Sequence, residues 1–224
     1  VSRIARVDAT RAARFSLRLR RWFRSNGRTL PWRETRDPYR VLISETMLQQ
    51  TPVSRVLDFY PRFLRRFPTL GDLARARPRQ VREGWEGLGY YARARNLYAL
   101  ARRTSEIPAD VDALQALPGI GRYTAGAIAC FAYERREALV DTNVARVLRR
   151  VFAPRADVKT SRGQRRLWAI AERILPRTGK QAWQHNQALM ELGALVCTAR
   201  VARCELCPVA ALCRSAKTHA RRGS

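Results

Sequence analysis

Apolar positions recur every three to four residues along nearly the whole chain, and no stretch alternates apolar and polar residues in the manner of a half-buried strand. The helical period is clear in Arg11–Arg24, Val53–Phe67 and Leu167–Leu175. Pro61 falls inside the second stretch and predicts a bend, because proline removes one helix hydrogen bond and crowds the preceding turn. Turn-forming residues punctuate the pattern at Asn26-Gly27, Phe67-Pro68-Thr69, Gly87-Leu88-Gly89, Pro118-Gly119-Ile120-Gly121 and Pro176-Arg177-Thr178-Gly179. The expectation is an all-α fold of about eight to eleven short helices. No repeat or low-complexity segment stands out, and only the tail after Cys213, ending Arg221-Arg222-Gly223-Ser224, reads as frayed. Because the apolar helices continue through Asp141, composition alone gives one domain.

Composition adds two constraints. With 224 residues, 46% of them hydrophobic, the chain can bury a sizeable core. It contains no run of about 18 uncharged apolar residues and no signal-peptide pattern, which argues against membrane spanning or secretion and makes the cytoplasm the default compartment. Thiols stay reduced there, so clustered cysteines read as metal ligands rather than disulfides. The formal charge of +26 implies a polyanionic partner, nucleic acid first among them. A GC-rich genome would explain arginine in place of lysine but not the deficit of acids. The charge is spread along the chain, so it reads as a surface property and not as a basic arm.

Three motifs carry chemistry. Cys197, Cys204, Cys207 and Cys213 follow a C-x6-C-x2-C-x5-C spacing within seventeen positions, and only one other cysteine occurs. Four thiolates that close together hold a metal or a cluster; zinc sites more often use paired C-x2-C units, and the two histidines, His185 and His219, offer little for mixed ligation. The segment Leu117-Pro118-Gly119-Ile120-Gly121-Arg122-Tyr123-Thr124-Ala125-Gly126 joins a short apolar helix to a small-residue helix through a two-glycine turn. Gly119 and Gly121 can take positive φ and expose backbone N–H groups to a DNA phosphate, although such a turn also serves as a plain helix connector. In Leu139-Val140-Asp141-Thr142-Asn143-Val144, a carboxylate stands between an apolar run and the next helix, where an ordinary N-cap is the competing explanation.

Hairpin, trailing aspartate and cysteine spacing together resemble the helix-hairpin-helix glycosylase superfamily, which includes endonuclease III, the MutY adenine glycosylases and the Mig-type thymine mismatch glycosylases. The resemblance runs from about Leu30 to Cys213. Within it, the MutY catalytic domain is the nearest match, on Leu30-Pro31-Trp32-Arg33, Asp37-Pro38-Tyr39, Ser44-Glu45-Thr46-Met47-Leu48-Gln49-Gln50-Thr51 and Gly87-Leu88-Gly89-Tyr90-Tyr91-Ala92-Arg93-Ala94-Arg95-Asn96-Leu97.

The resemblance implies a [4Fe–4S] cluster on the four terminal cysteines, with zinc as the alternative. It implies a six-helix barrel lobe over residues 37–140 that contains the hairpin. A second, cluster-bearing lobe would comprise residues 1–36 and 141–224, with double-stranded DNA carrying a mismatch or lesion lying across a monomer between the two. Glu45 matches the acid that protonates adenine N7, and burial in its apolar surroundings would raise its pKa. Asp141 matches the carboxylate that stabilises or traps the oxocarbenium-like sugar, with Tyr123 and Asn143 in support. Trp32, Arg33 and Leu48 would line the adenine pocket. Gln50 and Tyr90 match the residues that wedge into the duplex during base flipping. Arg200 and Arg203, between the first two cysteines, would touch phosphates. Bifunctional relatives carry at position 123 a lysine that breaks the strand; Tyr123 here, with no lysine before Lys159, implies base removal alone.

Two departures qualify the match. MutY relatives continue past the cluster into a domain that reads 8-oxoguanine, whereas the sequence ends at Ser224. Either it is a piece of a longer protein or the reader is lacking, and a weakened preference for adenine opposite 8-oxoguanine is expected. Thr142 stands where those relatives usually have glycine, closer to endonuclease III and Mig-type sequences. Two other readings therefore stay open: a Mig-like thymine or uracil mismatch glycosylase, and a non-catalytic lesion-binding protein.

Overall fold

The computed structural model describes residues 7–216, and among these the fold is all-α. Eleven α-helices follow in order: α1 (Ala9–Asn26), α2 (Pro38–Leu48), α3 (Val53–Arg66), α4 (Leu70–Arg75), α5 (Pro78–Gly84), α6 (Ala92–Arg103), α7 (Val111–Gln115), α8 (Arg122–Tyr133), α9 (Thr142–Phe152), α10 (Ser161–Ile174) and α11 (Gly179–Leu195). Three single-turn 3-10 helices accompany them, at Pro31–Arg33, Cys204–Leu206 and Ala210–Leu212. The only extended pairing among the described residues is an isolated bridge between Cys197 and Ala202. None of the described helices is long and apolar enough to cross a membrane.

Side-chain caps set the helix starts. Asp8, Asp37, Asp110, Asp141, Thr160 and Thr178 each accept a backbone N–H from the first turn of the helix that follows. Thr69 and Asp72 form a reciprocal capping box on α4. Helix α3 continues through Pro61, where a bend was expected. The lost N–H leaves the carbonyl of Leu57 without its helical donor, and Leu57 is exposed, so water can satisfy it.

The chain divides into two compact units, one of residues 29–135 and one of residues 1–28 with 136–224. These boundaries fall five to eight residues before those expected at 37 and 141, because the segments entering α2 and α9 pack with the helices they lead into. In the first unit α2 packs on α8. Residues 124–132 of α8 are all buried, and the run Thr124-Ala125-Gly126-Ala127 keeps its surface small enough for α2 to come close. Phe63 meets the fully buried Trp85 edge-on at 5.6 Å, closing the other side of the core.

In the second unit, Phe15 of α1 meets Phe152 of α9 edge-on at 5.0 Å. Glu191 of α11 is fully buried and accepts from the backbone N–H of Arg28 at 2.9 Å and from its Nε and Nη2 at 2.8 and 2.9 Å. Gly193 is where α11 approaches α9: a Cβ there would come within 2.9 Å of Asn143 Cβ. The frayed tail expected after Cys213 does not begin at once. The N–H groups of Arg214 and Ser215 bond to the carbonyls of Val151 and Arg150 at 3.2 and 3.1 Å, so the end of α9 holds them. Residues 217–224 lie outside those described.

His185 of α11 is buried, with Nδ1 3.0 Å from Ser16 Oγ. Burial, and then the charge of Arg20, pushes its pKa down to about 3. The imidazole is neutral in the fold, whereas the unfolded chain takes up its proton below about 6.5. Stability from this group is thus complete above pH 6.5 and is lost as pH falls toward 3. Urea unfolding at pH 7 and pH 5 should show the wild type losing up to about 1.4 kcal/mol per unit more than His185→Gln.

Candidate active site and cysteine centre

Each unit carries part of the residue set expected from the sequence. In the first, Glu45 lies on the buried face of α2, 7% exposed, in a helix whose residues 41–47 are all buried. Leu48 ends α2, and Gln49 caps it, its Nε2 donating to Thr124 Oγ1 of α8 at 3.4 Å. Tyr123 is therefore placed at the start of α8, one residue from the side chain that α2 reaches. Trp32 is buried edge-on against Tyr60 at 5.5 Å, and Arg33 closes the same 3-10 turn, half-buried.

The hairpin joins α7 to α8. Gly119 has φ +77, and a Cβ there would strike Asn96 Cβ at 2.7 Å, so the turn requires glycine. Gly121 departs from the expectation of positive φ: its φ is −92 and ψ 175, ordinary extended backbone. An added Cβ would meet nothing within 4 Å, and no side chain caps the start of α8. The start of this twelve-residue helix carries the positive end of its dipole.

In the second unit Asp141 is the N-cap of α9, with Oδ1 accepting Val144 N–H at 2.6 Å and Oδ2 accepting Asn143 Nδ2 at 3.4 Å. The cap explanation is correct as far as it goes. Burial pushes the Asp141 carboxyl above the usual range, against the opposing pull of those two donors and of the Arg146 charge. Arg146 Nη2 donates to Asn143 Oδ1 and to the Gly193 carbonyl, both at 2.7 Å, and Arg146 Nε donates to the Cys197 carbonyl at 2.9 Å. A continuous hydrogen-bonded path thus leads from Asp141 to the first of the four cysteines.

All four cysteines line one cavity, walled by Val147, Val151, Leu192 and Val209. Among the described residues, no three Cys, His, Asp or Glu side chains converge on one metal-ion position. A lone zinc ion would need four sulfurs at about 2.3 Å from a single point. Burial pushes the Cys207 thiol up to about 11 and raises Cys204, with neighbouring thiols adding to both. Four thiolates in this apolar cavity need cationic compensation, which fits a metal cluster. Arg150 Nη1 points at Cys197 Sγ at 3.3 Å and donates to the Thr198 carbonyl at 2.7 Å. Arg200 is exposed in the turn between Thr198 and Val201; Arg203 is exposed but spends one N–H on the Leu195 carbonyl at 3.3 Å.

Arg93, Arg146 and Arg150 were not singled out from the sequence. Arg146 and Arg150 stand one turn apart on α9, a spacing that also suits a solvated basic face, and their carbonyl partners on α11 and the cysteine loop are far along the chain.

This all-α arrangement, with a hairpin at α7–α8 and an aspartate opening α9, defines a known class. Residues 43–173 match the model of the HhH-GPD superfamily base excision DNA repair proteins, and the chain belongs to that family. It is 42% identical over 222 residues to a Rattus norvegicus adenine DNA glycosylase, covering 93% of this chain and 43% of the relative. To the adenine DNA glycosylase of Mycobacterium tuberculosis it is 45% identical over 194 residues, covering 84% of this chain and 63% of the relative. The chain spans less than two thirds of the length of these curated relatives. Among solved structures, a thermostable thymine-DNA glycosylase superposes with a TM-score of 0.84 at 30% identity, covering 94% of this chain and 100% of that one. A trapped endonuclease III–DNA covalent intermediate gives 0.76 at 24% identity, over 94% and 99%, a likeness of fold.

Asp141 as cap and Asp141 as charge can be separated. Asp141→Asn keeps a good N-cap and should unfold in urea within about 0.5 kcal/mol of wild type, whereas Asp141→Ala should lose about 1 kcal/mol.

Proposed function

We propose that the chain is a monofunctional DNA glycosylase that removes adenine mispaired with 8-oxoguanine or guanine. The observation that carries this reading is the buried Glu45 on α2, inside segments matching adenine glycosylases, together with 42–45% identity to proteins of that name. Adenine is a poor leaving group. In the proposed reaction Glu45 gives its proton to N7, the N-glycosidic bond breaks with its electron pair going to the base, and positive charge develops on the sugar. The Asp141 carboxylate stabilises that charge, water adds to C1′, and the water proton passes to a carboxylate. Asn143 bonds Asp141 and is itself held by Arg146, and Tyr123 stands at the hairpin helix in support. Trp32, Arg33 and Leu48 line the base pocket. With tyrosine at 123, no lysine is available there for a Schiff base, and the product is an intact abasic strand.

The partner is duplex DNA with a mismatch or lesion. The uncapped start of α8 beyond Gly119 and Gly121, with Arg200 and Arg203, contacts phosphates. Gln50 and Tyr90 enter the duplex as the base turns out. Cys197, Cys204, Cys207 and Cys213 hold a [4Fe–4S] cluster, a reading supported by the one cavity that all four line. When bound, the cluster would supply the positive charge that keeps four half-buried thiolates ionised. A thymine mismatch glycosylase is the second reading, favoured by the full-length superposition on a thymine-DNA glycosylase and by Thr142.

Two measurements test these assignments. Single-turnover assays on duplexes containing A opposite 8-oxoguanine, A opposite G, T opposite G and U opposite G, each read with and without alkali, should give alkali-dependent breaks at adenine. Glu45→Gln and Asp141→Asn should each slow them by about 10²-fold or more. Release of thymine or uracil alone would select the second reading. Elemental analysis of protein purified without oxygen should find iron and acid-labile sulfide in equal amounts and no stoichiometric zinc, with Cys207→Ser losing the visible absorption band.

A further inference from the structure

Three residues other than glycine hold left-handed backbone among those described: Gln50 (φ +59), Tyr90 (φ +46) and Glu134 (φ +51). Glu134 has a local explanation, since it ends α8 and the next N–H, of Arg135, returns to the Ala129 carbonyl at 2.9 Å. Gln50 and Tyr90 have none. Each lies in a turn, Gln50 just past the end of α2 and Tyr90 just before α6, and Tyr90 is 59% exposed. A side chain in that conformation costs about 1 kcal/mol or more and persists only where the surroundings impose it.

What imposes it on both is a single guanidinium. Arg93 of α6 is 8% exposed, and the four N–H groups of its two Nη atoms are shared among six acceptors, all uncharged. Nη1 bonds the carbonyls of Thr46, Met47 and Gln49, which are among those the end of α2 leaves without helical partners. Nη2 bonds Thr51 Oγ1 at 3.0 Å and, in the glycine turn before Tyr90, the carbonyls of Leu88 and Gly89 at 3.1 and 3.2 Å. Gln50 is thus bracketed by two residues that share this guanidinium. The plane of Arg93 also faces the rings of Trp85 and Tyr90 at 5.5 and 5.4 Å. Trp85 Nε1 and Arg55 Nη1 fix the same turn through the Gly89 and Gly87 carbonyls at 3.2 and 2.8 Å. Lysine cannot reproduce this: its ammonium is a point, whereas the planar fork reaches two loops at once.

We propose that Arg93 is the positioning residue that fixes the spacing and aim of Gln50 and Tyr90, so that extrusion of the target base, and not bond cleavage, depends on it. The proposal rests on the reading of Gln50 and Tyr90 as the residues that enter the duplex. It makes the strain at both positions functional: two side chains are held out toward DNA before DNA arrives, so their ordering is not charged against binding.

The test separates extrusion from chemistry. Stopped-flow fluorescence of 2-aminopurine beside the target adenine reports unstacking, and single-turnover excision is compared between adenine opposite guanine and adenine opposite an abasic gap, where extrusion costs little. Glu45→Gln should give the wild-type fluorescence rise. Arg93→Lys should slow the rise and the excision of paired adenine by about ten- to a hundredfold, with most of the loss recovered on the gapped duplex. Methylguanidinium should partly restore the rise in Arg93→Ala, and Thr51→Val, which removes one acceptor only, should shift the same readouts less. Equal loss on both duplexes with an unchanged fluorescence rise would overturn the proposal, as would an unaltered Arg93→Lys. No rise with the wild type would overturn it together with the wedge reading. A wild-type rise without adenine release would overturn only the assignment of adenine.

Discussion

Short helices end often, and each end leaves backbone carbonyls without donors. Eleven helices within 210 described residues multiply that problem, and this protein answers it with arginine. Arg93 serves the end of α2. Arg136 serves Leu175 and Pro176 at the end of α10. Arg146 and Arg150 serve the end of α11 and the cysteine loop. Arg11 and Arg214 reach Val151 and Phe152 at the end of α9. A guanidinium suits the task because it carries five donors, cannot lose its charge and is less strongly hydrated than an ammonium. The +26 charge is therefore partly architectural. Some of the arginines that read as a phosphate-facing surface are turned inward onto carbonyls.

The same device reaches the reactive groups. Asp141 is held as a helix cap, Asn143 bonds it, and Arg146 ties Asn143 to Gly193 and to Cys197. Gly193 permits the approach, since any side chain there would collide with Asn143. A carboxylate that must face a cationic sugar benefits from being fixed on a helix end and partly desolvated, with its charge kept by defined donors. The structural cap is compatible with the proposed catalytic charge because the cap uses Oδ1 while Oδ2 is only weakly engaged, at 3.4 Å.

Much of this was legible in the chain. The helical period, the glycine turns and the cysteine spacing are local signals, and each appears where the period and turn residues predict. Glu45 was legible as a buried acid because the rest of Ile43–Leu48 is apolar or uncharged polar. Other features depended on long-range contacts. Gly121 looked like a second positive-φ position, but its freedom is spent on open space above a helix start and not on dihedral strain. Arg93 lies among Ala92, Ala94 and Arg95, where nothing in the pattern distinguishes a clamp from a solvated arginine. Its acceptors lie up to 47 residues away. Trp32 is turned against Tyr60, a contact that the Leu-Pro-Trp-Arg segment does not encode by itself.

The proposed base flipping depends on two side chains held ready by one arginine. The most direct test is a crystal structure of the protein on a duplex in which the target is 2′-fluoro-2′-deoxyadenosine opposite guanine, a sugar that resists cleavage because fluorine disfavours charge at C1′. The account predicts adenine outside the stack, Gln50 and Tyr90 filling the gap, and Arg93 retaining its bonds to the α2 end and the Gly87–Gly89 turn. An adenine left stacked, with Gln50 and Tyr90 in solvent away from the duplex, would contradict it.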